Sequence, residues 1–252
     1  MKFFFNSSDN KEALEAKNNF INIYGQHDSK DADIIVPIGG DGFLLKNLHD
    51  FNKCNIPFFG IDYGSIGFLM NAETNENLEN IIKNAQEISL KSLEMKATNT
   101  KDKVFTSIAY NEVSLMRQTH QASKINIEIN KIERINELIC DGILVSTPAG
   151  STAYNLSAHG SIIPLDSNLL ALTPISAFRP RRWRGALLQE RNKINFNIID
   201  YEKRPVSVTA DNTEFRDIKN VEIYSSEKNS CKLLFDNKHS IEEKILKEQF
   251  YS

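Results

Sequence analysis

DADIIVPIGGDGFLLKNL, residues 31–48, decides how this chain folds. Ile34, Ile35, Val36 and Ile38 make an apolar run that stops at Gly39-Gly40-Asp41-Gly42, and Phe43, Leu44, Leu45 and Leu48 follow at helical spacing. The reading is strand, tight turn, helix. Glycines permit backbone angles closed to other residues and let a ligand's phosphates approach main-chain N–H groups with no Cβ in the way. A single carboxylate, Asp41, stands between them.

Upstream, Lys2 to Phe5 reads as a first strand. Ser8 or Asp9 can then cap a helix with Ala13, Leu14, Ala16, Phe20 and Ile21 on its apolar side. Downstream, residues 57–62 predict another buried strand, and Leu78, Ile81, Ile82 and Ala85 another helix. Strands alternating with helices imply parallel βαβ units, a Rossmann-like parallel sheet. Ligands of such sheets gather at the carboxyl ends of the strands, where Asp41 and Asp62 lie.

Beyond about Ile88 the rhythm changes. Ile125, Ile127 and Ile129 alternate with Asn126 and Glu128, and Ile194, Phe196 and Ile198 with Asn195 and Asn197, the pattern of half-buried strands. Further strands are expected at 104–109, 113–116, 138–145, 206–209, 221–224 and 231–235, with one helix at 151–159. A terminal amphipathic helix at 241–250 has an apolar side that needs a surface to cover it. The expected fold class is an α/β N-terminal domain with a parallel sheet, followed by a β-rich C-terminal domain. The expected division is 1–90, 91–235, and a final helical segment, 236–252, returning to the first domain.

The 252 residues carry a formal net charge of -3, with 40% hydrophobic and 25% charged side chains, as in an ordinary soluble globular protein. No global basicity points to nucleic acid as a partner. The apolar start is too short for a signal peptide and no 18 apolar residues run together, so a cytoplasmic location away from membranes is expected. Cys54, Cys140 and Cys231 are odd in number and widely spaced, which indicates neither disulfides nor zinc but small buried hydrophobes. The histidines show no HExxH spacing, and no metal-ligating set is assigned. There is no GxxxxGK[ST] loop. Arg179, Arg181, Arg182 and Arg184 around Trp183 form a basic patch, suited to a triphosphate, to solvent or to a subunit contact.

A second dense stretch is Asp141-Gly142 continued by ILVSTPAGSTAY to Tyr154. A strand runs into Thr147-Pro148-Ala149-Gly150, and Ser151 or Thr152 begins a short helix, again leaving free N–H groups and hydroxyls. Asn111-Glu112 heads a strand between the two glycine turns. Together the three motifs resemble the NAD kinase family, which carries GGDG, an Asn followed by an acidic residue, and a DG-VSTPTGSTAY block. The likeness runs from about Asp33 to Asp211, with Ala149 in place of the usual Thr and Ile139 where many members carry Arg or Lys.

The resemblance implies an ATP-dependent NAD kinase that phosphorylates the 2′-hydroxyl of the adenosine ribose, with NAD and ATP as substrates and a divalent metal, magnesium, as cofactor. It makes Asp41 the proton acceptor and, with Gly42, part of the NAD site. Lys46, Asn111, Glu112, Asp141, Thr152, Ala153, Tyr154, Asn155, Leu156 and Ser157 match further NAD-contacting positions, and Ser176 and Asn212 match on fewer flanking residues. Asp211 falls at a recurrent family Asp. Family members are homodimers or homotetramers, so a site shared between subunits is implied. Phosphoryl transfer asks mainly for positioning and charge neutralisation, and a helix N-terminus is expected to keep Asp41 ionised. Whether Asp41 also helps hold magnesium stays open here, as do two other readings: a lipid kinase of the diacylglycerol or sphingosine type, which shares the GGDG turn, and a dinucleotide-binding regulator without transfer.

Overall fold

A computed structural model describes residues 1–64, 67–74, 76–181, 183–238, 244 and 250. The helix expected at 241–250 therefore lies outside the described residues except for Lys244 and Phe250, and Arg182 lies outside them too. The chain divides into two compact units, Met1–Leu90 with Asn229–Ser252, and Lys91–Lys228.

In the first unit, β1 (Phe3–Ser7), β2 (Ile34–Gly39) and β3 (Ile61–Asp62) form a parallel sheet in that order, with Gly39 opposite Asp62. Around it stand α1 (Lys11–Tyr24), α2 (Asp41–Asp50) and α3 (Leu78–Lys83). The cap of α1 is Asn10, whose side chain accepts from the Ala13 N–H at 2.7 Å; Ser8 and Asp9, the sequence candidates, lie before it. Residues 57–62 do not form one strand. Phe58 makes single parallel bridges to Ile35 and Leu233, and Gly60 then turns its carbonyl to Asn71, so the ladder resumes only at Ile61. Phe3, Phe5, Phe20, Val36, Ile38, Ile61, Leu78 and Leu234 pack in the core, with Phe5 stacked on Phe20 at 5.6 Å. Burying a phenylalanine of this kind contributes about 2–3 kcal/mol.

The second unit is a pair of six-stranded sheets. One runs β11 (Ala186–Gln189), β10 (Leu169–Ile175), β9 (Gly142–Ser146), β6 (Glu112–Arg117), β13 (Val206–Ala210), β14 (Thr213–Phe215). The other runs β5 (Val104–Ala109), β4 (Gln86–Asn99), β15 (Ile218–Phe235), β12 (Ile194–Ile198), β7 (Ser123–Ile129), β8 (Ile132–Cys140). Ile125, Ile127, Ile129, Ile194, Phe196 and Ile198 all enter its core, as their alternation predicts.

Three expectations change. Residues 138–145 are two strands, because the chain leaves one sheet after Cys140 and joins the other at Gly142, with Asp141 at the corner. Residues 221–224 and 231–235 belong to the single long β15. The helix at 151–159 is a 3-10 turn, Ala149–Thr152, followed by the short α4 (Tyr154–Ser157), broken at Ala153. Ser151 does not cap it: its hydroxyl donates to Pro148 O and accepts from Ile163 N–H, which ties the turn sideways.

Candidate active site

In the first unit, β2 delivers Gly39 and Gly40 to the head of α2, where Gly40 occupies the cap position without a side-chain cap bond. None of Gly39, Gly40 and Gly42 has a positive φ, so the expectation of special backbone angles is corrected. Room is what they supply. A Cβ on Gly64 would stand 2.8 Å from Gly40 Cα, so the two backbones pass as closely as only glycine allows. A Cβ on Gly42 would meet nothing within 4 Å, leaving that side of the turn open.

Asp41 accepts from the backbone N–H of Phe68 at 2.7 Å and of Leu69 at 2.9 Å. Burial pushes its carboxyl above the ordinary range, those two N–H groups pull it down, Asp62 raises it and Lys244 lowers it, with a net rise. Of these influences withdrawal from water is the largest. Asp62 accepts from the Gly64 N–H at 2.9 Å. Lys244 donates to Met70 O, and burial holds its ammonium below the usual lysine value. Lys46 is exposed on α2.

In the second unit, Asp211 opens the turn between β13 and β14 at φ 51, and its carboxylate accepts from the N–H groups of Tyr110 (2.7 Å), Asn111 (3.0 Å) and Glu112 (3.2 Å). Thr147 closes the other side, its hydroxyl donating to Tyr110 O at 2.6 Å and its N–H to Asn111 O at 2.9 Å. A Cβ on Gly150 would stand 2.3 Å from Asn111 O, so the two turns touch backbone to backbone. Burial first, then Asp211, pushes the Glu112 carboxyl up to about 7 against a hydrogen bond from the Tyr154 N–H. Glu112 Oε2 is buried without a hydrogen-bond partner.

The Tyr154 phenol is raised by burial and by the charges of Glu112 and Asp141, and its hydroxyl donates to Met116 Sδ at 3.4 Å. Asp141 accepts from Arg117 Nε at 2.5 Å. Asn155 is wholly buried; it donates to Ser151 O and Ser161 O and accepts from the Thr173 hydroxyl, so its side chain holds the turn together. Thr152, Ala153 and Leu156 are half-buried, while Ser157, Ser176 and Asn212 are exposed.

The structure thus brings Asn111, Glu112, Tyr154 and Asp211 together, with Asp141 close enough to act on Tyr154. Arg179 and Arg181 flank the ring of Phe178 at 5.3 and 5.7 Å. Sequence reasoning missed the carboxylate clamps, made across 27 and 101 positions, and it missed Lys244 altogether. Among the described residues, no group of three or more His, Cys, Asp or Glu is placed to hold a metal ion.

A glycine turn carrying a half-buried acid at a helix head in the first unit, and in the second an Asn-Glu pair clamped beside a Gly-Ser-Thr turn, are features suited to a two-domain phosphotransferase for nucleotides. Residues 3–90 match the model for the ATP-NAD kinase N-terminal domain and residues 110–235 that for the ATP-NAD kinase C-terminal domain. The chain belongs to the NAD kinase family. It is 51% identical over 229 residues to an NAD kinase of Rickettsia rickettsii (strain Sheila Smith), covering 90% of this chain and 89% of that one. It is 47% identical over 246 residues to an NAD kinase of Rhizobium meliloti (strain 1021), covering 98% and 96%.

Two solved structures share the fold. Yeast NADH kinase complexed with NADH superposes with a TM-score of 0.87 at 19% identity, covering 100% of this chain and 88% of that chain. An NAD kinase from Archaeoglobus fulgidus in complex with ATP superposes with a TM-score of 0.78 at 21% identity, covering 98% and 99%. The lipid-kinase alternative finds no support in these relatives. Among the described residues, no helix is long and apolar enough to cross a membrane.

Proposed function

We propose that the chain transfers the γ-phosphoryl group of ATP to the 2′-hydroxyl of the adenosine ribose of NAD, giving NADP and ADP. The observation that carries this reading is Asp41, a half-buried carboxylate held by two N–H groups in the Gly39–Gly42 turn. Its raised basicity suits it to accept the hydroxyl proton as the ribose oxygen bonds to phosphorus and the bond from phosphorus to the ADP oxygen breaks. The head of α2, where no side chain caps the helix, suits the donor phosphates.

Unit by unit, the roles divide. Gly42 and Lys46 serve the first unit's turn. Asn111 and Glu112 offer amide and carboxylate to ribose hydroxyls or the adenine edge, Tyr154 and Asp141 add a ring and a second acid, and Thr152, Ala153, Leu156, Ser157, Ser176 and Asn212 line the same unit's turns. Asn155 contributes by holding its turn in shape. The charges of Asp41 and Asp62 act on each other, and these two carboxylates would hold magnesium together with the substrate phosphates, an oxygen set of the kind that ion takes. When bound, magnesium supplies charge neutralisation on the phosphates. A cytoplasmic homodimer or homotetramer completes the reading.

Purified protein incubated with ATP, magnesium and NAD should form NADP in step with ADP. Intact NAD binding without NADP would leave the chain a dinucleotide-binding regulator and overturn the transfer.

A further inference from the structure

The segment 68–70 is gripped at both ends by charged side chains distant from it in sequence. Phe68 and Leu69 give their N–H groups to Asp41, and Met70 gives its carbonyl to the Lys244 ammonium. The residue before them is gripped as well: a Cβ on Gly67 would stand 2.5 Å from Asp62 Oδ2, so the Asp62 carboxylate lies directly over it. Two acids and one lysine therefore converge on a single short stretch of backbone in the first unit. An ammonium drawn partly out of water needs both hydrogen-bond acceptors and opposite charge. Lys244 has Met70 O as acceptor, and both Asp41 and Asp62 act on it as opposite charges.

We propose that Lys244 is a positioning residue for Asp41: by anchoring Met70 it fixes the two N–H groups that aim the Asp41 carboxylate. This rests on the reading of Asp41 as proton acceptor. Lys244 acts through backbone and charge, and its own ammonium does not touch the transferred group.

The test is steady-state kinetics on Lys244→Met, Lys244→Arg, Asp41→Asn and the double variant Asp41→Asn/Lys244→Met of the full chain, with melting temperatures measured alongside. Lys244→Met should lower kcat by about 10-fold with KM for ATP and NAD changed by less than about 3-fold, the size expected for loss of one charged hydrogen bond. Lys244→Arg, which keeps a cation and its donors, should recover most of the rate and guards against a folding defect. The double variant should be no more than about 2-fold slower than Asp41→Asn, because residues acting as one unit are not additive.

Losses that multiply in the double variant, an unchanged kcat in Lys244→Met, or a rise in KM for ATP at full kcat would each overturn the positioning role. The last would make Lys244 a direct phosphate contact. A slow Asp41→Asn with a normal Lys244→Met removes this inference and leaves the proton-acceptor reading standing. A fully active Asp41→Asn removes both.

Discussion

Asp41 and Glu112 are both carboxylates withdrawn from water, and they differ in what replaces the lost hydration. Asp41 receives two N–H groups and feels Lys244; Glu112 receives one and faces Asp211. Replacing Asp41 by Asn keeps one acceptor oxygen for the two backbone donors and removes the base. NAD affinity by calorimetry should stay within a few-fold while kcat falls by ~10²-fold or more. For Glu112 the effect is on stability. Its carboxyl moves from 4.5 up to about 7 on folding, so between those values the folded protein holds a proton the unfolded chain has released. Stability from this group is greatest below 4.5 and is lost as pH rises through about 7. Glu112→Gln should therefore melt above the parent at pH 8, with the gain closing toward pH 4.5. At this scale the sequence shows the acids but not their environment. Asp41 is conspicuous among glycines, yet the N–H groups that hold it come from 27 and 28 positions away, and those on Asp211 from 99 to 101.

Elements were legible where a pattern is local. The buried run of β2 and the helical spacing of α2 identify both, and alternation identifies β7 and β12. Reading failed where a strand changes sheet at Asp141, and where Ser151 bonds sideways to Ile163 instead of capping a helix. It also mistook why the glycines are there, since contact with a neighbouring turn leaves no mark on the local pattern. The two kinds of glycine can be separated by substitution. Gly150→Ala drives a Cβ against Asn111 backbone, which cannot yield as a side-chain tip can, and should destabilise by about 1–3 kcal/mol in urea titration while weakening NAD binding. Gly42→Ala meets nothing of the protein and should leave the urea midpoint unchanged while lowering turnover, because the methyl occupies the side of the turn left for ligand. A large stability loss in Gly42→Ala would show that the open side is not open.

Among the described residues, one hydrophobic core draws on residues 3–85 and Leu234 and another on residues 93–223. The expected boundary near residue 90 rested on a change of rhythm at about Ile88, where helix-spaced apolar residues give way to alternating ones. What the rhythm could not show is that β4 and β15 each carry residues of both units. The second core is complete within Lys91–Lys228, so that fragment should give a β-type circular dichroism spectrum and a cooperative melt, yet make no NADP for want of Asp41. A fragment that stays unfolded would mean that its core depends on the other unit.

The first unit is assembled from two separated lengths of chain. Phe58 bridges Leu233, the Asn71 amide donates to Leu234 O at 3.0 Å, and Lys244 donates to Met70 O. A ribosome emits residues 1–90 first and must then make the entire second unit before the partners of Phe58, Asn71 and Met70 exist. The unit begun before the second is thus completed after it. A nascent chain clipped before residue 229 would lack the partners of Phe58, Asn71 and Met70.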